Sequence, residues 1–224
     1  MSIEEIIKSA SALTIHRPQD KYAEMVSEMR MKNEFFKICE EEKDILKKCV
    51  LCRYNLSSNQ WSVLLEKYVK TLYNINKSSC TEGDGCSLNG LNVEIKVSLG
   101  AENGQLHFVQ IRPDHNVDYY LMLAYNLHEN ALGKVYWLLA KSNDLYDVIP
   151  EFGGYAHGTI EKLGRITNDN LKGRNCEYAL RPSPTASIRN KSRKLWETML
   201  ERFSTTEEDI KIILGTEAVL IQED

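Results

Sequence analysis

Seven consecutive residues, Tyr119-Tyr120-Leu121-Met122-Leu123-Ala124-Tyr125, are apolar on both sides of an extended chain. A strand of that kind has no face for water, so it belongs in the middle of a sheet covered above and below. The rest of the chain supplies the covering layers. Further strands are expected at about 91–98, 105–112 and 134–140, with the apolar segment itself at 118–126. Helical spacing of apolar residues (Ile3, Ile6, Ile7, Ala10; Tyr22, Met25, Val26, Met29) predicts helices over 3–13 and 20–50, separated at Arg17-Pro18. Ser57-Ser58-Asn59 reads as a cap for a helix over about 60–74, with Trp61, Leu64, Leu65, Tyr68 and Leu72 on one face. Another short helix is expected near 143–149, capped by Ser142 or Asn143. Two helices close the chain at 191–203 and 205–214, the second opening on Thr206-Glu207-Glu208-Asp209. Helices, then a four-stranded core, then helices describe an α/β fold with a central mixed β-sheet flanked by helices. At 224 residues the chain suffices for one sizeable domain. Within it, 1–57 reads as an N-terminal helical part, 58–150 as the core, and 151–224 as loops and C-terminal helices.

Composition is that of an ordinary water-soluble chain, and no apolar run approaches the ~20 residues of a membrane span. The start, Met1-Ser2-Ile3-Glu4-Glu5, lacks the basic and apolar regions of a signal peptide, so a cytoplasmic location with no membrane partner is expected. A net charge of −4 argues against a polycation that coats nucleic acid. The charge is uneven, however. Between Lys162 and Lys194 nine basic residues face only Asp169 and Glu177, whereas 1–48 holds ten acids against nine bases. The basic stretch is interleaved with Tyr178, Asn168, Asn170, Asn175 and Asn190, which suits a DNA-contacting surface better than a merely solvated one.

The polar chemistry concentrates between residues 84 and 96. Leu91, Val93, Ile95 and Val97 alternate with Asn92, Glu94 and Lys96, so an acid and a base are neighbours on one face of a strand. Asp84 stands ten positions before Glu94 in the loop Gly83-Asp84-Gly85. An arbitrary Glu-x-Lys is a solvated polar face with a weak ion pair. Here the opposite face is wholly apolar, an aspartate lies at workable distance, and the next strand carries Gln110 and Arg112 two residues apart. Hydrolysing a phosphodiester requires stabilising a highly charged phosphorane, activating water and protonating an alkoxide. Divalent metals held by carboxylates serve all three needs. Asp84 and Glu94, with the Ile95 carbonyl, would hold Mg²⁺; Lys96 would orient or deprotonate the water. Glu66, on the preceding helix, would take a second metal or a metal-bound water.

Asp-(x)9-Glu-Ile-Lys, preceded by a Glu-bearing helix and followed by Gln-Ile-Arg, resembles the PD-(D/E)xK nuclease superfamily, and its type II restriction endonucleases most closely. The resemblance implies a restriction-endonuclease-like core over roughly 58–150. It also implies Mg²⁺-dependent cleavage of double-stranded DNA at a specific sequence, with one or two ions per site and 5′-phosphate products. Position by position, Asp84 matches the family aspartate, Glu94 the (D/E), Lys96 the lysine and Glu66 the helix acid. The chain departs from the family where proline often precedes the aspartate, since Gly83 stands there. A homodimer is expected, because two-fold symmetry meets a palindromic site. A cognate DNA methyltransferase is expected in the same system, without a stable complex. The alternatives are a DNA repair or junction-resolving nuclease of the same fold, and a non-catalytic DNA-binding module with a degenerate core.

DNA contacts are expected from Gln110 and Arg112 and from the irregular 153–194 segment. There His157, Lys162, Arg165, Arg174, Arg181, Arg189 and Arg193 supply groups suited to bases and phosphates. Cys49, Cys52, Cys80 and Cys86 have the makings of a four-thiolate zinc site, but the loose second spacing and the apolar surroundings favour reduced core cysteines. His115, within Asp114-His115-Asn116-Val117-Asp118, reads as part of a turn. No GxSxG elbow, Walker A loop, GxGxxG, HExxH or HNH-like cluster is present.

Overall fold

The computed structural model describes residues 31, 33–77, 82–156 and 164–216. The expected helix at 3–13, the first part of the one at 20–50, Cys80, His157 and Lys162 lie outside the described residues. By contacts the chain divides into two units, Met1–Leu65 and Glu66–Asp224.

In the first unit, residues 33–41 are helical and α1 spans Ile45–Asn55. The single helix expected there is broken at 42–44. The cause is local. The Glu42 carboxylate accepts the Lys43 and Asp44 N–H groups, and Asp44 then caps α1 by accepting the Lys47 N–H at 2.9 Å. Cys39, Cys49 and Cys52 are buried and free, as expected of core cysteines. Lys48 is buried too, and its ammonium donates to the Cys39 and Glu40 carbonyls. Helix α2, Ser58–Leu72, begins on a reciprocal cap. The Gln60 side chain accepts from the Ser57 N–H and hydroxyl, while the Ser57 carbonyl accepts the Gln60 and Trp61 N–H groups.

The second unit is built on a five-stranded mixed sheet. Its members are β1 (Gly85–Cys86), β2 (Asn92–Ser98), β4 (Tyr119–Asn126), β5 (Lys134–Lys141) and β8 (Ser204–Thr205), adjacent in that order. β2 and β4 are parallel, and the remaining pairs are antiparallel. β4 is the central strand and is buried along nearly its whole length, as its two apolar faces require. The register places Glu94 beside Tyr120 and Lys96 beside Met122. Tyr120, Met122, Ala124, Leu138 and Ala140 line that face. They pack with Leu195, Trp196, Met199 and Phe203 of α5 (Lys191–Phe203). Leu145, Tyr146 and Ile149, from the short helices α3 (Ser142–Tyr146) and α4 (Ile149–Phe152), complete the cluster. On the reverse face the Tyr73 and Trp137 rings meet edge to face, with centroids 5.4 Å apart.

Three details differ from expectation. β3, Phe108–Ile111, does not join the main sheet; it pairs with β7 (Tyr178–Leu180), and β7 with β6 (Gly154–Tyr155), in a small antiparallel sheet. Because β2 and β4 pair directly in parallel, the chain between them has to leave the sheet, and β3 lies on that excursion. Helix α3 starts one residue after Lys141 with no side-chain cap, so neither Ser142 nor Asn143 caps it. Ser204 and Thr205 form an edge strand before α6 (Glu207–Leu214), which Thr206 caps by accepting the Asp209 N–H. Among the described residues, no helix is long and apolar enough to cross a membrane.

β3 carries a bulge: Phe108 and Ile111, three residues apart, are both buried, and Gln110 between them adopts φ 57°. Leu121→Ala, at the centre of β4, should lower unfolding free energy by about 2–5 kcal/mol in urea titrations. Gln110→Gly should be neutral or stabilising by up to about 1 kcal/mol, since it relieves the left-handed backbone. A clear loss of stability in Gln110→Gly would contradict the bulge.

Candidate active site

The site is assembled by backbone before side chains. The Asp84 N–H donates to the Val93 carbonyl at 2.9 Å, and the Ile95 N–H donates to Asp84 Oδ2 at 2.7 Å. The aspartate is thereby fixed to the edge of β2. In a strand the N–H and C=O of one residue leave on the same side. The Ile95 carbonyl therefore lies on the Asp84 edge, where the proposed ligand set needs it. The glycines flanking Asp84 are explained by close approach. A Cβ on Gly83 would sit 2.8 Å from the Val93 carbonyl oxygen, and one on Gly85 2.8 Å from the Asn76 oxygen.

Glu94 and Lys96 project from β2 and are ion-paired at 2.6 Å, with side chains only 15% and 13% exposed. A solvated polar face would leave both largely in water, so that reading fails here. Burial pushes the Glu94 carboxyl above the ordinary carboxylate range. The Lys96 ammonium opposes the shift, the Asp84 charge adds to it, and the Arg112 guanidinium opposes it. Behind Glu94 lie Tyr120 and Tyr146, whose hydroxyls are 3.3 Å apart.

Glu66 joins through a residue that the sequence motif does not contain. Lys70, one turn along α2, bonds Glu66 Oε1 at 2.6 Å and lies 3.5 Å from Asp84 Oδ1. Its pKa is raised: burial acts against the charged form, and the two carboxylates outweigh it. The i, i+4 spacing from Glu66 was the available signal. The result is a chain of alternating charge, Glu66–Lys70–Asp84, next to Glu94–Lys96.

The donor set consists of hard oxygens, which suits Mg²⁺, an ion that needs only one or two carboxylates and retains water. Among the described residues, no group of three or more His, Cys, Asp or Glu side chains is placed to hold an ion. Glu66, Asp84 and Glu94 thus do not converge as a three-carboxylate cage, and the described cysteines do not form a zinc site. Asp84 and Glu94 lie close enough for the charge of the first to raise the pKa of the second.

The expected DNA contacts divide into distinct roles. Arg112 Nε donates to Glu177 Oε1 at 2.8 Å, and the bulge breaks the alternation that would have put Gln110 on its face; Gln110 is exposed. Arg165, Arg174 and Arg189 are exposed, and Arg181 is half-buried near His107. Arg193 is a structural pin, donating to the Pro184 carbonyl and to Glu197 Oε1. The chain turns at 113–115, where the His115 N–H donates to the Arg112 carbonyl at 3.1 Å, as expected for His115. Its Asp114 accepts N–H groups from Gly173, Arg174 and Asn175, and these bonds, Gly173 first, hold its carboxyl below the usual range. Arg174 is thereby presented on an ordered turn. Arg165 and Lys191 line a cavity of about 550 Å³ that none of Glu66, Asp84, Glu94 or Lys96 reaches. The chemistry of the carboxylates, rather than the size of the cavity, marks the candidate site.

A pH signature follows from Glu94. Its folded carboxyl takes up a proton at higher pH than the unfolded one, so stability falls as pH rises through the window between the ordinary and raised values. Glu94→Gln removes that titration. The variant should gain stability relative to the wild type above the window and lose the advantage below it, read as urea midpoints between about pH 4 and about pH 8. A difference that stays constant with pH would contradict the burial of an ionisable Glu94. Comparisons with protein-family models, curated proteins and solved structures return no match.

Proposed function

We propose that the chain is a Mg²⁺-dependent endonuclease that hydrolyses double-stranded DNA, in the manner of a type II restriction enzyme. The observation that supports this most is the half-buried Glu94–Lys96 pair beside an aspartate hydrogen-bonded to the same strand. Asp84 and Glu94, with the Ile95 carbonyl, would hold the ion, which supplies charge neutralisation and a more acidic water. Lys96 offsets charge at the scissile phosphate and positions the attacking water from its place on Glu94. Water adds to phosphorus as the bond to the 3′ oxygen breaks, leaving a 5′-phosphate and a 3′-hydroxyl. Arg112, whose guanidinium acts on Glu94 at a distance while paired to Glu177, is the cation best placed to meet the phosphate. Exposed Arg165, Arg174 and Arg189 would extend the contact along the duplex.

Plasmid digestion tests the reading directly. With Mg²⁺ the protein should give discrete fragments, and with EDTA none. Structure-dependent nicking would instead favour a repair or junction-resolving nuclease, and no cleavage under any divalent ion would end the nuclease reading. Lys96→Ala should reduce the cleavage rate by about 10²–10⁴-fold while DNA affinity in Ca²⁺ changes little. Full activity in that variant would remove Lys96 from the mechanism.

A further inference from the structure

Lys70 stands where a metal would have to enter. Asp84 has two carboxylate oxygens, and the Ile95 N–H occupies Oδ2. Oδ1 is the oxygen left to face an ion, and it is the one that faces the Lys70 ammonium at 3.5 Å. The same ammonium takes Glu66 Oε1 at 2.6 Å. An ion using Asp84 Oδ1, with Glu66 as a direct or water-mediated partner, meets a positive charge already seated between them. Two cations in one half-buried site repel strongly, because the medium screens them far less than bulk water does. The Lys70 side chain is 29% exposed and ends on a flexible stem, so its ammonium has a route to solvent.

We propose that Lys70 is a built-in counterion: it neutralises Glu66 and Asp84 when no metal is bound, and a divalent cation loads the site by displacing its ammonium. The inference rests on the metal-site reading above and deepens it. Without such a counterion, the cations shown to act on these carboxylates would be Lys96 and the more distant Arg112. Such an excess of negative charge strains the folded chain and invites any passing cation. With Lys70 in place, loading becomes an exchange of one cation for another. Metal affinity is held down to a level set by the Glu66–Lys70 and Lys70–Asp84 contacts. Lys70 is a positioning residue in this account, acting through the carboxylates rather than on the phosphate.

The test is calorimetric titration of Mn²⁺ alone into the intact chain, comparing wild type with Lys70→Gln, Lys70→Arg and Asp84→Asn. Lys70→Gln should bind Mn²⁺ at least about tenfold more tightly, Lys70→Arg should stay near wild type, and Asp84→Asn should lose binding. Equal or weaker binding by Lys70→Gln, with Asp84→Asn still defective, would overturn the counterion role and leave the metal-site reading intact. No saturable, Asp84-dependent binding in any form would overturn both. A second measurement needs no variant. Acylation of Lys70 by an N-hydroxysuccinimide acetate, followed by mass spectrometry, should increase several-fold as Mn²⁺ saturates the wild type. Unchanged or reduced labelling at saturation would show that the ammonium stays seated, against the proposal.

Discussion

Glu66, Asp84 and Glu94 share a partly buried patch with Lys70 and Lys96, and neither set of charges would be tolerable there without the other. Bringing charge out of water costs several kcal/mol per ion unless a partner offsets it. The fold meets that requirement with covalent economy. Glu94 and Lys96 are two residues apart on one strand, and Glu66 and Lys70 are one helical turn apart. Asp84 is held by backbone rather than by a salt bridge alone. Neighbouring elements of the second unit fix β2 in place. The parallel pairing with β4 sets its height, and the apolar layers on both sides of β4 set its plane.

Regular elements with strong periodicity were legible in the sequence. The alternation at 91–97 and the two-sided apolarity at 119–125 gave β2 and β4 to within a residue, because period-two burial has few other solutions. Helix α5 was equally clear in its bounds, and the structure adds which face it buries, Leu195, Trp196, Met199 and Phe203. What could not be read was non-local. Nothing in Phe108-Val109-Gln110-Ile111 announces a bulge, or pairing with Tyr178–Leu180 about seventy positions later rather than with β2. The break at 42–44 was concealed by helical composition on both sides, and depends on Glu42 and Asp44 binding backbone N–H groups.

The candidate site shows the same division. Asp84, Glu94 and Lys96 share a local motif and could be marked in advance, as could Glu66. For Lys70 the sequence offered only the i, i+4 spacing to Glu66; its contact with Asp84 depends on the turn that brings Asp84 back toward α2. The arginines of the basic segment were grouped by composition, yet they do different things. Arg193 holds the 184 loop to α5, Arg112 is engaged by Glu177, and Arg174 rides on a turn that Asp114 orders. Counting positive charge in a segment does not distinguish a surface that binds from one that braces.

Asp84 and Glu94 are proposed to hold a divalent cation jointly on the edge of β2. Anomalous scattering from crystals containing Mn²⁺ measures this without relying on activity. A peak is expected with one oxygen each of Asp84 and Glu94 at about 2.1 Å and the Ile95 carbonyl within the same shell. Mn²⁺ bound only elsewhere, with the Lys96–Glu94 and Lys70–Asp84 contacts undisturbed, would contradict it.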